Sequence, residues 1–149
     1  MVKEAGCKVI NISGIINEQE IEKVYRLRLN TRNVNLLYQS DILNLILTEI
    51  KLRSMILEEI NLYAFCLMPF HISIVLSVKE ENSDLKAWVK KFKTYITRNS
   101  DVKKLWKPLF EFEKVDNPML TYKCEEVVKQ PEAMGLVDNW CDYGLSFMV

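Results

Sequence analysis

The run INLYAFCLMPFHISIVLSV, residues 60–78, constrains this chain more than any other stretch. Its first half is apolar at odd and even positions alike, the pattern of a central strand whose sheet is covered on both faces. Pro69 and Phe70 then interrupt it as a turn. The second half alternates, with Ile72, Ile74 and Leu76 on one face and His71, Ser73, Val75 and Ser77 on the other. A strand, a tight turn and a second strand are therefore expected at the middle of a sheet.

The flanking segments complete the frame. VYRLRLNTR, from Val24, is a period-two strand that sets Tyr25, Leu27 and Leu29 against a polar row of Arg26, Arg28, Asn30 and Arg32. SDILNLILTEIKLRSMILEE reads as a helix capped by Ser40 or Asp41, with Ile42, Ile46, Ile50 and Leu57 at helical spacing. A second helix is predicted over Ser83 to Asn99, where Leu85, Trp88, Val89, Phe92 and Ile96 form the stripe and Lys86, Lys90, Lys93 and Thr97 the outer face. LWKPLFEFEKV is a fourth strand, and Pro108 places it at an edge or an irregular start. Asn117 and Pro118 suit the N-cap and first turn of a further helix, which Pro131 should close.

From Val24 the order is thus β-α-β-β-α-β followed by a helix. It predicts an α+β, ferredoxin-like antiparallel sheet with helices on one face plus a C-terminal helix. Laying the helices over Ile72, Ile74 and Leu76 leaves His71 and Ser73 facing whatever the protein binds. Residues 1–23 form an N-terminal extension with one further strand candidate, CKVINISGII, and residues 24–149 form a single domain.

Composition excludes more than it selects. Twenty basic residues balance twenty acidic ones, so net charge points to no partner. The four cysteines are scattered and the chain has one histidine, which leaves no Cys/His zinc pattern and predicts free thiols in a reducing cytoplasm. The first residues lack a signal-peptide pattern, and no apolar run approaches the roughly 20 residues of a membrane span. A cytoplasmic location without membrane contact is expected.

YAFCLMPFHISIVLSV resembles the strand-turn-strand of single-tyrosine HUH insertion-sequence transposases, in particular the REP-associated tyrosine transposases. QPEAMGLVDNWCDYGLSF is similar to that family's closing segment, and YRLRLNTRN with LLYQSD to its first strand and the loop after it. The basic helix, the Leu105-Trp106 pair and Leu120-Thr121 follow in the family's order. The resemblance runs from about Val24 to the end.

It implies cleavage and rejoining of single-stranded DNA through a tyrosine that forms a covalent 5′-phosphotyrosine. In that family a divalent metal, Mg or Mn, polarises the scissile phosphate. Two histidines one residue apart on a strand share a face and hold the metal, and a Gln or Asn one turn after the tyrosine completes the site. Carried over, His71 keeps the first metal histidine, Ser73 stands at the second, and Gln130 keeps the amide. The tyrosine position falls on Glu126 counted from Pro131, or on Glu125 counted from Leu120-Thr121. Tyr122, one helical turn (about 5.4 Å) before Glu126, is the nearest substitute.

Loss of the second histidine and of the tyrosine implies a catalytically inactive member, with metal binding weak or absent. A live metal-dependent DNA strand transferase using Tyr122 is one alternative, and a repurposed protein-interaction module another. Outside the family context, a lone histidine at a strand start is ordinarily a turn or hydrogen-bonded residue, and Tyr122 a packing residue. Between Lys86 and Lys107 lie eight basic residues and one acid, Asp101. That stripe, including Lys86, Lys90, Lys93, Arg98, Lys103 and Lys104, reads either as a solvated face or as a phosphate-contacting surface, with Arg26, Arg28 and Arg32 as a second row. The family context selects single-stranded or hairpin DNA as partner, with Trp106 or Phe70 as stacking residues and a homodimer as the assembly.

Overall fold

The computed structural model describes residues 23–33, 36–79 and 84–148. The strand candidate CKVINISGII lies outside them. Five strands, β1 (Val24–Asn30), β2 (Ile60–Leu67), β3 (His71–Val78), β4 (Glu111–Val115) and β5 (Ser146–Met148), form one sheet in the order β4-β1-β3-β2-β5. Every pairing is antiparallel. The first four strands have the ferredoxin-like arrangement that the β-α-β-β-α-β order predicts, and β5 extends it beyond β2.

Helices α1 (Ser40–Lys51) and α2 (Leu85–Asn99) cover one face. Their buried stripes, Ile42, Ile46 and Ile50 from α1 and Trp88, Val89, Phe92 and Ile96 from α2, join Leu27, Leu29, Ile72, Ile74 and Leu76 in the main core. Asp84 caps α2 by accepting from the Ala87 amide at 2.7 Å. Gln39 rather than Ser40 or Asp41 occupies the N-cap of α1, without a side-chain bond. Leu57, placed on the apolar stripe by periodicity, is 53% exposed. A five-residue π-helical segment, Leu52–Ile56, follows α1 and rotates the chain before Leu57 is reached.

The opposite face is also covered. Helix α3 (Leu120–Val128) packs Cys124, Val127 and Val128 against Val24, Ala64, Cys66 and Val75. A register shift between Leu62 and Ala64 gives β2 its apolar residues on both sides: Leu62 and Phe65 join one core, Tyr63 and Ala64 the other. The face bearing His71 and Ser73 is therefore no open platform, since His71 is 4% exposed and Ser73 fully buried. Pro131 does not close α3. That helix stops at Val128, and Pro131 sits in the first turn of a four-residue helix, α4 (Gln130–Ala133), where its missing N–H costs nothing. Cys66 and Cys124 are free and buried, whereas Cys141 is disulfide-bonded, so the expectation of free thiols throughout does not hold. No helix among the described residues is long and apolar enough to cross a membrane.

Candidate functional site

β3 begins at His71, and its alternation aims His71 and Ser73 at the α3 side of the sheet. The kink between α3 and α4 returns Gln130 over them. His71 Nε2 lies 2.8 Å from Gln130 Oε1, and Gln130 Nε2 donates to Ser73 Oγ at 2.9 Å. The serine hydroxyl also lies 3.2 Å from Oε1, within reach to donate back. With Oε1 as its acceptor, the imidazole carries its proton on Nε2 and leaves Nδ1 a bare lone pair. That Nδ1 is buried and has no partner among the described residues. Burial is the main force holding the His71 pKa below its ordinary value; the Gln130 bond opposes it, and Arg28 and Arg26 add to it. The ring is neutral at pH 7.

These residues converge as the resemblance expects, but they fit a divalent cation poorly. A metal on Nε2 would require the other tautomer, in which Nδ1–H is normally oriented by an acceptor. No acceptor stands at Nδ1 among the described residues. The three donors are neutral, and Arg26 and Arg28 oppose further positive charge. Among the described residues no three His, Cys, Asp or Glu side chains come together elsewhere.

Glu126, on α3 one turn before Gln130, is held by β1: Arg26 Nη1 donates to its Oε1 at 2.9 Å. Arg26 also lies 3.7 Å from Glu113 on β4, and Lys123 bridges Glu113 at 2.9 Å and Glu126 at 3.8 Å. The Lys123 hydrogen bond holds the Glu113 carboxyl below the usual range. Two cations and two carboxylates thus clamp α3 onto β1 and β4. Tyr122 stands apart, 56% exposed, its ring 6.0 Å from the Lys123 ammonium.

The basic residues divide. Arg28, opposite Ser73 in the β1–β3 register, is half-buried and forms no ion pair among the described residues. Arg32, Lys103 and Lys104 are exposed near the same end of the sheet, where the Arg32 amide bonds Leu105 O at 3.0 Å and the Thr31 amide bonds Phe70 O at 2.9 Å. Lys86, Lys90 and Arg98 are exposed on α2, across the sheet from the His71 cluster. Lys93 is half-buried and donates to Lys107 O at 2.9 Å. Trp106 is buried and donates Nε1 to Lys93 O at 3.3 Å, and Phe70 packs edge-on to His71. Neither ring presents an open stacking face comparable to Tyr122.

Sequence reasoning passed over a phenol pair beside the turn. Tyr143 donates to Leu67 O at 2.7 Å and meets Tyr38 Oη at 2.6 Å. Burial first, and Tyr38 second, push the Tyr143 phenol far above its ordinary range.

No family model matches the chain, and no curated protein matches it. Solved structures do. A REP-associated tyrosine transposase bound to a REP hairpin is similar with a TM-score of 0.70 at 20% identity, over 89% of this chain and 81% of that one. A candidate transposase from Deinococcus radiodurans R1 is similar with a TM-score of 0.50 at 16% identity, over 78% of this chain and 97% of the other. At these identities the likeness is one of fold: the chain has the α+β fold of these transposases.

Proposed function

We propose that this chain binds single-stranded or hairpin DNA over the His71 end of its sheet and no longer cleaves and rejoins it. One observation carries the reading. The chain shares a fold with a hairpin-bound transposase. The position that the sequence resemblance matches to the nucleophile is Glu126, ion-paired to Arg26, when counted from Pro131, or Glu125 when counted from Leu120-Thr121, and a tyrosine by neither count. Reversible strand transfer needs a hydroxyl that attacks phosphorus and later leaves as a stable phenolate. A carboxylate repels the incoming phosphate and cannot form that ester. The His71–Gln130–Ser73 cluster, bonded within itself, supports the same reading, because its donors serve one another rather than an incoming group.

DNA binding rests on the charge that remains once internal pairing is subtracted. Arg26 is engaged by Glu126 and Lys93 by Lys107 O. Arg28, Arg32, Lys103 and Lys104 are not so engaged among the described residues, and they gather near the start of β3, where a phosphate backbone can lie across the sheet end. The proposal extends to a homodimer, since the edge strand and its approach expose Phe112 at 50% and Leu109 at 82%; light scattering of the full chain tests it.

The deciding experiment incubates the protein with a labelled hairpin from its own genomic flanks, with and without Mn²⁺. A salt-sensitive mobility shift without a covalent adduct is expected. An adduct lost on Tyr122→Phe would establish a live strand transferase and overturn the proposal. No shift with hairpin or single strand would also overturn it and leave a protein-interaction module.

A further inference from the structure

Across the sheet from His71, the π-helical segment and α2 enclose a depression of about 430 Å³. Arg53 in its wall belongs to a largely buried ionic lattice. Arg53, 5% exposed, donates Nε to Glu49 Oε2 at 2.9 Å and Nη1 to Glu59 Oε1 at 2.8 Å. Glu59 also accepts from Trp88 Nε1 at 3.2 Å and Lys91 Nζ at 3.1 Å. The guanidinium is thereby fixed with its carbon 5.6 Å from the centroid of the Tyr95 ring. Both carboxylates are used up in this lattice. Lys90 and Arg98, two turns apart on α2, line the same depression and form no ion pair among the described residues. Ala87 lines the depression with only a methyl group.

We propose that this depression is a second ligand site, for a phosphate group carried on a planar aromatic ring, as in a nucleotide. Tyr95, 38% exposed and braced by Arg53, offers a ring for stacking. Arg98 and Lys90 offer the uncompensated charge for the phosphate, and a guanidinium matches two phosphate oxygens at once. The volume lies in the ordinary range of small-ligand sites. The π-helical turn is what carries Arg53 into the wall, a distortion that proteins frequently place at functional sites. The site is on the α1–α2 side of the sheet and requires nothing of the hairpin reading.

The test is calorimetric titration of the full-length chain with thymidine 5′-monophosphate, thymidine and inorganic phosphate. The monophosphate should bind saturably at one site, and thymidine and phosphate each at least about tenfold more weakly, as loss of stacking or of a charge-assisted bond implies. Arg98→Gln, Lys90→Gln and Tyr95→Leu change exposed positions, so thermal unfolding should be near that of the parent, while monophosphate affinity falls by about tenfold for Arg98→Gln. Two arms separate a free nucleotide from one within a strand: a short oligothymidylate lacking terminal phosphates, and the mononucleotide. Tighter binding of either identifies the source. Absence of saturable binding by both would overturn the assignment. So would monophosphate affinity unmoved in all three variants, or inorganic phosphate binding as tightly as the monophosphate.

Discussion

His71 combines a buried ring, one good hydrogen bond and one nitrogen unpartnered among the described residues, and its titration follows from that. Protonation would place a charge where burial and two arginines oppose it, so the folded-state pKa lies below the ordinary value of about 6.5. The unfolded chain then binds more protons than the folded one just below that value. Stability linked to His71 is present above about pH 6.5 and lost as pH falls toward the folded-state pKa. Urea denaturation between pH 7.5 and 5 should show this decline in the parent chain and a shallower one in His71→Gln; equal slopes would assign the loss to other groups. Glu126 makes a different case. Its side chain and that of Arg26 are 34% and 24% exposed, so solvent screens the pair, and Glu126→Gln should cost no more than about 1 kcal/mol. A loss several times larger would mean that the clamp, rather than the apolar contacts of α3, holds the helix in place.

At the scale of elements, what the sequence disclosed depended on whether neighbours along the chain decide the outcome. Alternation in β1 and β3 sorted Leu27, Leu29, Ile72 and Ile74 from Arg26, Arg28, His71 and Ser73, and the faces came out as read. The α2 stripe was legible for the same reason. The cover on the second face was not, because α3 is short and only a tertiary contact brings Gln130 onto His71 and Ser73. The convergence of those three residues could be anticipated only through family likeness, and the Arg26–Glu126 pair, 100 residues apart in sequence, not at all. Glu49 and Glu59 are buried around Arg53, which nothing in the local pattern signals, and the π-helical turn that brings Arg53 to Glu59 left no periodic mark. Arg53→Ala should therefore be severe, about 3–5 kcal/mol by urea denaturation, since it strands the buried Glu49 carboxylate and leaves Glu59 only Trp88 and Lys91. Lys91→Ala removes a partner that is 60% exposed and should cost under about 1 kcal/mol. Similar losses for the two would refute the lattice as a structural unit.

For the whole molecule, a net charge of zero conceals a separation of charge by face. The basic residues of α2 lie on one side of the sheet, the Arg26–Glu113–Lys123–Glu126 clamp neutralises much of the other, and Arg32, Lys103 and Lys104 stand near the end where β1 finishes and β3 starts. A single DNA strand cannot reach α2 and Arg28 together without wrapping round the sheet, so the proposed binding mode commits to that end. Removing one cation that pairs with a phosphate should lower the slope of log K against log salt by about 0.7 for a single strand. Neutralising Arg32, Lys103 and Lys104 together to Gln should then reduce the slope by about 2, with a matching fall in affinity at low salt. Lys51→Gln with Lys79→Gln removes two exposed lysines, the second just past the far end of β3, and should leave the slope nearly unchanged. If the two sets of variants weakened binding in proportion to charge alone, attraction would be diffuse rather than directed, and the sheet end would lose its claim to be the DNA-binding surface.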